Sequence, residues 1–177
     1  PRSSYVMTDN VNLSRKVVQS LYSSGIRDIG FIGGERNSAV ARNRKKGFVE
    51  TMQQLGMEIN EKWMQYGDYY EESGYRAMKK MLETKPYPKA VFATSDLMAF
   101  GAIRAVREAG LRVPEDIRII GCDDIDACRY SSPKLSTVRQ YKDRLGQLAA
   151  NILNDLINKN VEIKPAFIDC ELVLRES

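Results

Sequence analysis

The chain has no histidine, so the side chain most often used as a general base near neutral pH is missing. It carries no GxSxG nucleophile elbow, no GxxxxGK[ST] phosphate loop and no GxGxxG fingerprint. Its most prominent paired carboxylates, Asp123 and Asp124, are adjacent and so point apart rather than flanking a bond. These absences argue against an enzyme. No apolar run approaches the roughly 20 residues that cross a bilayer. The 3 cysteines, Cys122, Cys128 and Cys170, are odd in number and lack metal-type spacing, which suits free thiols in a reducing cytoplasm. Net charge is also small: 27 basic against 23 acidic residues leave +4, with no basic block interleaved with aromatics to grip nucleic acid. Neither a cofactor nor a metal is expected, and there is no internal repeat, low-complexity stretch or flexible linker.

What is present is a regular alternation of strand and helix. Residues 90–124 hold a complete βαβ unit. Ala90-Val91-Phe92-Ala93 reads as a strand buried on both faces. Thr94-Ser95-Asp96 offers oxygens to the start of a helix, whose inner stripe is Met98, Gly101/Ala102, Ala105 and Ala109. Gly110 stops it, and Ile117 to Ile120 forms the next strand, running into Asp123-Asp124. Before this unit come a strand at 5–7, a helix at about 10–24, a strand at 29–32, a helix at 39–55, a weak strand at 64–66 and a helix at 71–84. After it come a helix at about 142–158, with Leu145, Leu148, Ile152 and Leu156 on one face, and an apolar strand at about 166–174. Such alternation predicts an α/β fold with a doubly wound parallel sheet, and right-handed crossovers bring all strand-to-helix loops to one edge.

That edge holds Asp9-Asn10, Gly33 to Ser38, Asp68-Tyr69, Thr94-Ser95-Asp96, Asp123-Asp124 and Gln140. Carboxylates, amides, an arginine and an aromatic together suit a sugar, with its hydroxyls and apolar C–H face. Arg44 is the most telling residue: it shares an inward helical stripe with Ala41, Phe48, Met52 and Leu55, where a cation opposes the helix dipole and loses hydration unless a carboxylate or ligand waits opposite. Arg42, Lys45 and Lys46 point to water. Asp124 reads as a cap for a short helix near Asp126, and Asp96 as a cap or a ligand contact. Phe31, Phe92, Phe100 and Phe167 read as core, while Trp63 could be core or surface.

The wording ATSDLMAFGAIRAVREAGLRVPEDIRIIGCDD, together with FIGG and ARNRKKGF (31–34 and 41–48), SSPKLSTVRQ (131–140) and ELVLRES (171–177), resembles the effector-binding domain of the lactose/galactose-repressor (LacI/GalR) family of bacterial regulators. The match runs in order over nearly the whole chain. It departs at Gly25-Ile26, where the family usually has Gly-His, at Ser95, where it often has Asn, and at Cys122, where it has an aromatic. The resemblance implies a periplasmic-binding-protein-like (type I) lobe: a partial effector-binding domain, with about 9–139 as the C-terminal lobe, about 140–165 as helix and strand returning to an N-terminal lobe, and about 166–177 as the last strand. It implies a sugar-hydroxyl-binding arginine at Arg44, a hydroxyl-accepting carboxylate at Asp123, a hydrogen-bonding side chain at Ser95, a ring-stacking aromatic at Tyr69 and a polar contact at Gln140. It further implies a small sugar effector, operator DNA bound through a domain outside this chain, a cytoplasmic homodimer and no membrane. Because the chain starts at Pro1 without methionine, it is expected to be part of a longer protein. A sugar-binding protein of a periplasmic transport system is the alternative; the GLRVPEDI wording and the cysteines favour the regulator.

Overall fold

A computed structural model describes residues 5–83, 85–159 and 165–177. Its main sheet has six strands in the order β3-β2-β4-β5-β6-β8. They are β2 (Ile29–Gly33), β3 (Met64–Tyr66), β4 (Ala90–Ala93), β5 (Arg118–Asp123), β6 (Ser136–Gln140) and β8 (Cys170–Val173). All pairs are parallel except β6 with β8. A second, two-stranded parallel sheet joins β1 (Val6–Thr8) to β7 (Ala166–Ile168). The helices are α1 (Asn10–Ser23), α2 (Ala39–Gln54), α3 (Glu71–Met81), α4 (Asp96–Glu108), the one-turn α5 (Ala127–Tyr130) and α6 (Lys142–Lys159).

Successive residues of a strand face opposite ways, so each central strand feeds two cores. Phe31, Phe92, Ile120 and Val138 meet α1 and α2 through Leu13, Val17, Phe48 and Met52. Ile32, Val91, Ile119 and Leu135 meet α3 and α4 through Met78, Met81, Met98 and Val106. The result is three layers, helix–sheet–helix, as the alternation predicts. Two glycines set the spacing of α3 and α4: a β-carbon at Gly74 would strike the backbone of Met98, and one at Gly101 the carbonyl of Glu71.

The helix stops fall where the sequence places them, at Gly25, Gly56 and Gly110, all with positive φ. Other elements differ. The single strand expected at 166–174 is two, divided at Asp169, because β7 pairs with β1 while β8 turns back to β6. The strand expected at 5–7 accordingly lies outside the main sheet. Residues 136–140 form an unforeseen central strand. The helix expected at 71–84 ends at Met81, and residue 84, like the stretch 160–164 to which part of the returning strand was assigned, lies outside the described residues. Phe31 and Phe92 are core, but Phe100 is only half-buried and Phe167 is exposed, its ring meeting Tyr5 edge-on. Trp63 is buried in a short 3-10 turn. No helix among the described residues is long and apolar enough to cross a membrane.

Candidate functional site

The chain leaves β2 for β3 on one side and comes back to β4 on the other. In open α/β sheets such a reversal leaves a crevice at the carboxyl ends of the strands. A cavity of about 530 Å³ lies there, walled by Ser38, Arg44, Tyr69, Ser95, Asp96 and Asp123, among others. The segments that follow β2, β3, β4 and β5 contribute, and four of the five expected residues come together.

Arg44 is buried on the inner face of α2. Its Nε donates to Asn10 Oδ1 at 2.8 Å and its Nη1 to the Thr94 carbonyl at 2.6 Å. The inward placement read from the helical stripe is therefore right, and the partners that make it tolerable are an amide and a carbonyl rather than a carboxylate. Asn10 is itself fixed, its Nδ2 donating to the Thr8 carbonyl at 2.9 Å. With Nε and Nη1 each held by protein, the guanidinium is fixed in the cavity wall, and the N–H groups left over are donors of the kind that suit vicinal oxygens.

Asp123 ends β5 with φ 136, and Asp124 follows at φ 55. Two consecutive non-glycine residues at positive φ mark local strain of the kind that gathers at binding sites. Burial pushes the Asp123 carboxyl above its usual range; Arg44 pulls it down and Asp96 pushes it further up. Gln140, at the end of β6, donates to Asp123 Oδ1 at 2.7 Å and accepts from the Thr8 hydroxyl at 2.9 Å. Gln140 borders a neighbouring hollow rather than the main cavity, so it holds Asp123 instead of lining the site.

Ser95 lines the cavity, but its hydroxyl serves the protein. It accepts from Met98 N at 3.2 Å as the cap of α4 and donates to the Tyr69 carbonyl at 3.0 Å. Asp96 does not cap its own helix: it accepts from Ile125 N and from the Thr137 hydroxyl, tying the loop after β5 to β6. Asp124 caps nothing either. It accepts from Arg139 at 2.7 Å and Arg175 at 2.6 Å, with its side chain 2% exposed, and α5 begins without a side-chain cap. The two arginines outweigh burial and hold its carboxyl below the usual range. Cys122 lies just beneath Asp123; burial pushes its thiol up to about 12. Among the described residues no cluster of three or more His, Cys, Asp or Glu could hold a metal.

Sequence reasoning missed Thr8 and the orienting role of Asn10. The signal lay in Arg44 itself, since a buried guanidinium demands acceptors and Asn10 stood on the same predicted edge.

Known proteins bear on this arrangement. Residues 18–177 match a family described as "Periplasmic binding protein-like domain". The HTH-type transcriptional repressor PurR of Pasteurella multocida is 44% identical over 158 residues, covering 89% of this chain and 47% of that protein. Its namesake in Haemophilus influenzae is 42% identical over 161 residues, covering 89% and 48%. The chain thus spans about half the length of the curated relatives it matches. Among solved structures, a complex of the transcriptional regulator CelR with cellobiose has a TM-score of 0.93 at 34% identity, covering 99% of this chain and 54% of that one. The lac repressor dimer bound to operator and the anti-inducer ONPF has a TM-score of 0.91 at 27% identity, covering 97% and 59%. The three-layer sheet, the crevice at its reversal and these relatives agree: the chain belongs to the periplasmic binding protein-like family, as an effector-binding domain of the LacI/GalR type.

Proposed function

We propose that this chain is the sensing part of a transcriptional repressor and that its effector is a small neutral saccharide bound by Arg44 and Asp123. One observation carries the reading: a buried guanidinium, fixed at Nε by Asn10 and at Nη1 by Thr94, shares a cavity with a carboxylate at the reversal point of the sheet. A fixed donor fork beside an acceptor, with Tyr69 as an apolar wall, suits a polyhydroxylated ring. The cellobiose named with CelR supports a sugar, and relatives named as repressors support regulation over both transport and catalysis.

In this reading residues of about 9–139 form one lobe, and α6 with β1 and β7 leads toward a second. Ligand between the lobes shifts the balance of two arrangements, and a DNA-binding domain outside this chain reads that shift as a cytoplasmic homodimer bound to operator. Ser95, Tyr69 and Gln140 support the site as cap, wall and brace respectively.

Calorimetry on the full-length protein tests it. Because a hydrogen bond to a charged group contributes about 1.5–3 kcal/mol, Arg44→Ala and Asp123→Ala should each weaken sugar binding at least about tenfold. Unchanged affinity in both variants removes these residues from the site.

A further inference from the structure

Two irregularities meet at Tyr69. Its backbone sits at φ 72, in the left-handed region that residues with a β-carbon avoid. Its hydroxyl is buried with no hydrogen-bond partner among the described residues, a condition rare enough in folded proteins to ask for a cause. The ring can lie where it does because position 34 is glycine: a β-carbon there would collide with Cζ, Cε1 and the hydroxyl oxygen of Tyr69. Gly34 does not have positive φ, so its own backbone does not require glycine. What the missing side chain provides is a bed for the tyrosine ring.

That bed lies between two hollows. Tyr69 is a wall of the main cavity. Gly34, beneath it, is a wall of a second cavity of about 390 Å³, bounded also by Arg36, Gln65, Tyr66, Asp68 and Arg76. Its volume falls in the range of roughly 300–1,000 Å³ that small ligands fill. It repeats the guanidinium, carboxylate and phenol ring of the first cavity and adds an amide in Gln65. Ser95 anchors the backbone of this wall by its bond to the Tyr69 carbonyl, which leaves the side-chain torsions as the free degree of motion.

We propose, resting on the saccharide reading above, that Tyr69 is a movable partition that sets ligand length. Lifted off Gly34, the ring opens the first cavity into the second, and its hydroxyl gains a ligand oxygen as partner. The site then takes a saccharide of two or more rings in preference to one.

The test is calorimetry of the full-length protein with glucose, cellobiose and cellotriose. The two longer sugars should bind at least about tenfold tighter than glucose, the gain of one or two good hydrogen bonds. Tyr69→Phe should cut that advantage about fivefold, the size of one neutral hydrogen bond. It should leave the unliganded melting temperature equal or higher, because the deleted hydroxyl has no partner. Gly34→Ala, which denies the ring its bed, should keep or raise the preference for the longer sugars. Wild-type protein that binds glucose as tightly as cellobiose overturns the partition alone, as does a Tyr69→Phe protein with unchanged affinities and a lowered melting temperature. Wild-type protein that binds none of the three sugars overturns the saccharide reading first and this inference with it.

Discussion

Gln140 joins Asp123 to Thr8: its amide N–H reaches Asp123 Oδ1 at 2.7 Å while its carbonyl oxygen accepts from the Thr8 hydroxyl at 2.9 Å. Arg44 reaches the same residue by another route, through Asn10 to the Thr8 carbonyl. Arg44 and Asp123 are therefore both tied, each through one amide side chain, to the threonine at the end of β1.

Breaking the bridge should loosen the carboxylate without touching the ligand. Gln140→Leu and Thr8→Val are each expected to weaken sugar binding about three- to tenfold, because they act on the ligand only through Asp123 and so on the scale of about 0.5–1.5 kcal/mol. In Gln140→Leu the Asp123 carboxyl loses a bond that favours its charged form, so the acid limb of binding should move toward neutral pH. Calorimetry across pH reads both effects.

The adjacent aspartates should fail at different pH. The Asp123 carboxyl lies above the usual 3.8, raised by burial and then opposed by Arg44. An acceptor that must be ionised is lost as pH falls through that raised value, so binding should weaken while ordinary carboxylates are still charged. Asp124 is shifted the other way, because Arg175 and Arg139 outweigh its burial. Its contribution to stability, present above the unfolded value, is lost only as pH falls through its lowered folded value. Between the raised Asp123 value and the lowered Asp124 value, a window is expected in which the protein still melts cooperatively yet binds sugar more weakly. Paired calorimetry and thermal melts should find it.

Asp124→Asn should be strongly destabilising. It takes the shared carboxylate from Arg175, whose side chain is 12% exposed, and from Arg139, 35% exposed, which keeps Glu171 at 3.0 Å. Removing one partner of a buried ion pair costs about 3–5 kcal/mol; the partial exposure of Arg139 places the expectation near about 3 kcal/mol. For a domain of this size that is a fall of about 6–12 °C in melting temperature, measurable by scanning calorimetry.

Apolar surface is concentrated on the smaller sheet and its helix. Leu145, Leu148, Ile152 and Leu156 are half-buried, so the expected stripe is partly covered, whereas Leu153 and Ile157 of α6 and Tyr5 and Phe167 beside β1 and β7 are exposed. Such patches favour association. Residues 1–177 alone are expected to self-associate at micromolar concentration, and Leu153→Lys with Ile157→Lys should shift them toward monomer. A wild-type monomer in sedimentation would contradict this.

How much of this was legible depended on range. The stops at Gly25, Gly56 and Gly110 and the inward stripe bearing Arg44 are local properties of helices and were readable. Pairing choices were not. Asp169 divides two strands because β1 and β6 compete for neighbouring segments, which no window of sequence displays. Asp124 was misread because its partners lie 15 and 51 residues away. A capping role rests on near neighbours, and that made it visible first. Gln140 was found as a polar residue at the right edge, but its role as a brace depends on Thr8, 132 residues distant.

The in-register pairing of β1 with β7 has a mechanical consequence. Val6, Met7 and Thr8 face Ala166, Phe167 and Ile168 one to one, and Lys16 clamps Asp169 at 2.7 Å just past the second strand. Two chains bonded side by side can bend together, but to slide past each other they must break every bond of the ladder. The ladder therefore resists sliding of one strand past the other more than it resists bending of the pair as a unit. Thr8 is the last paired residue of β1 and bonds to both Asn10 and Gln140, so a bend of this ribbon would act on the partners of Arg44 and Asp123 together.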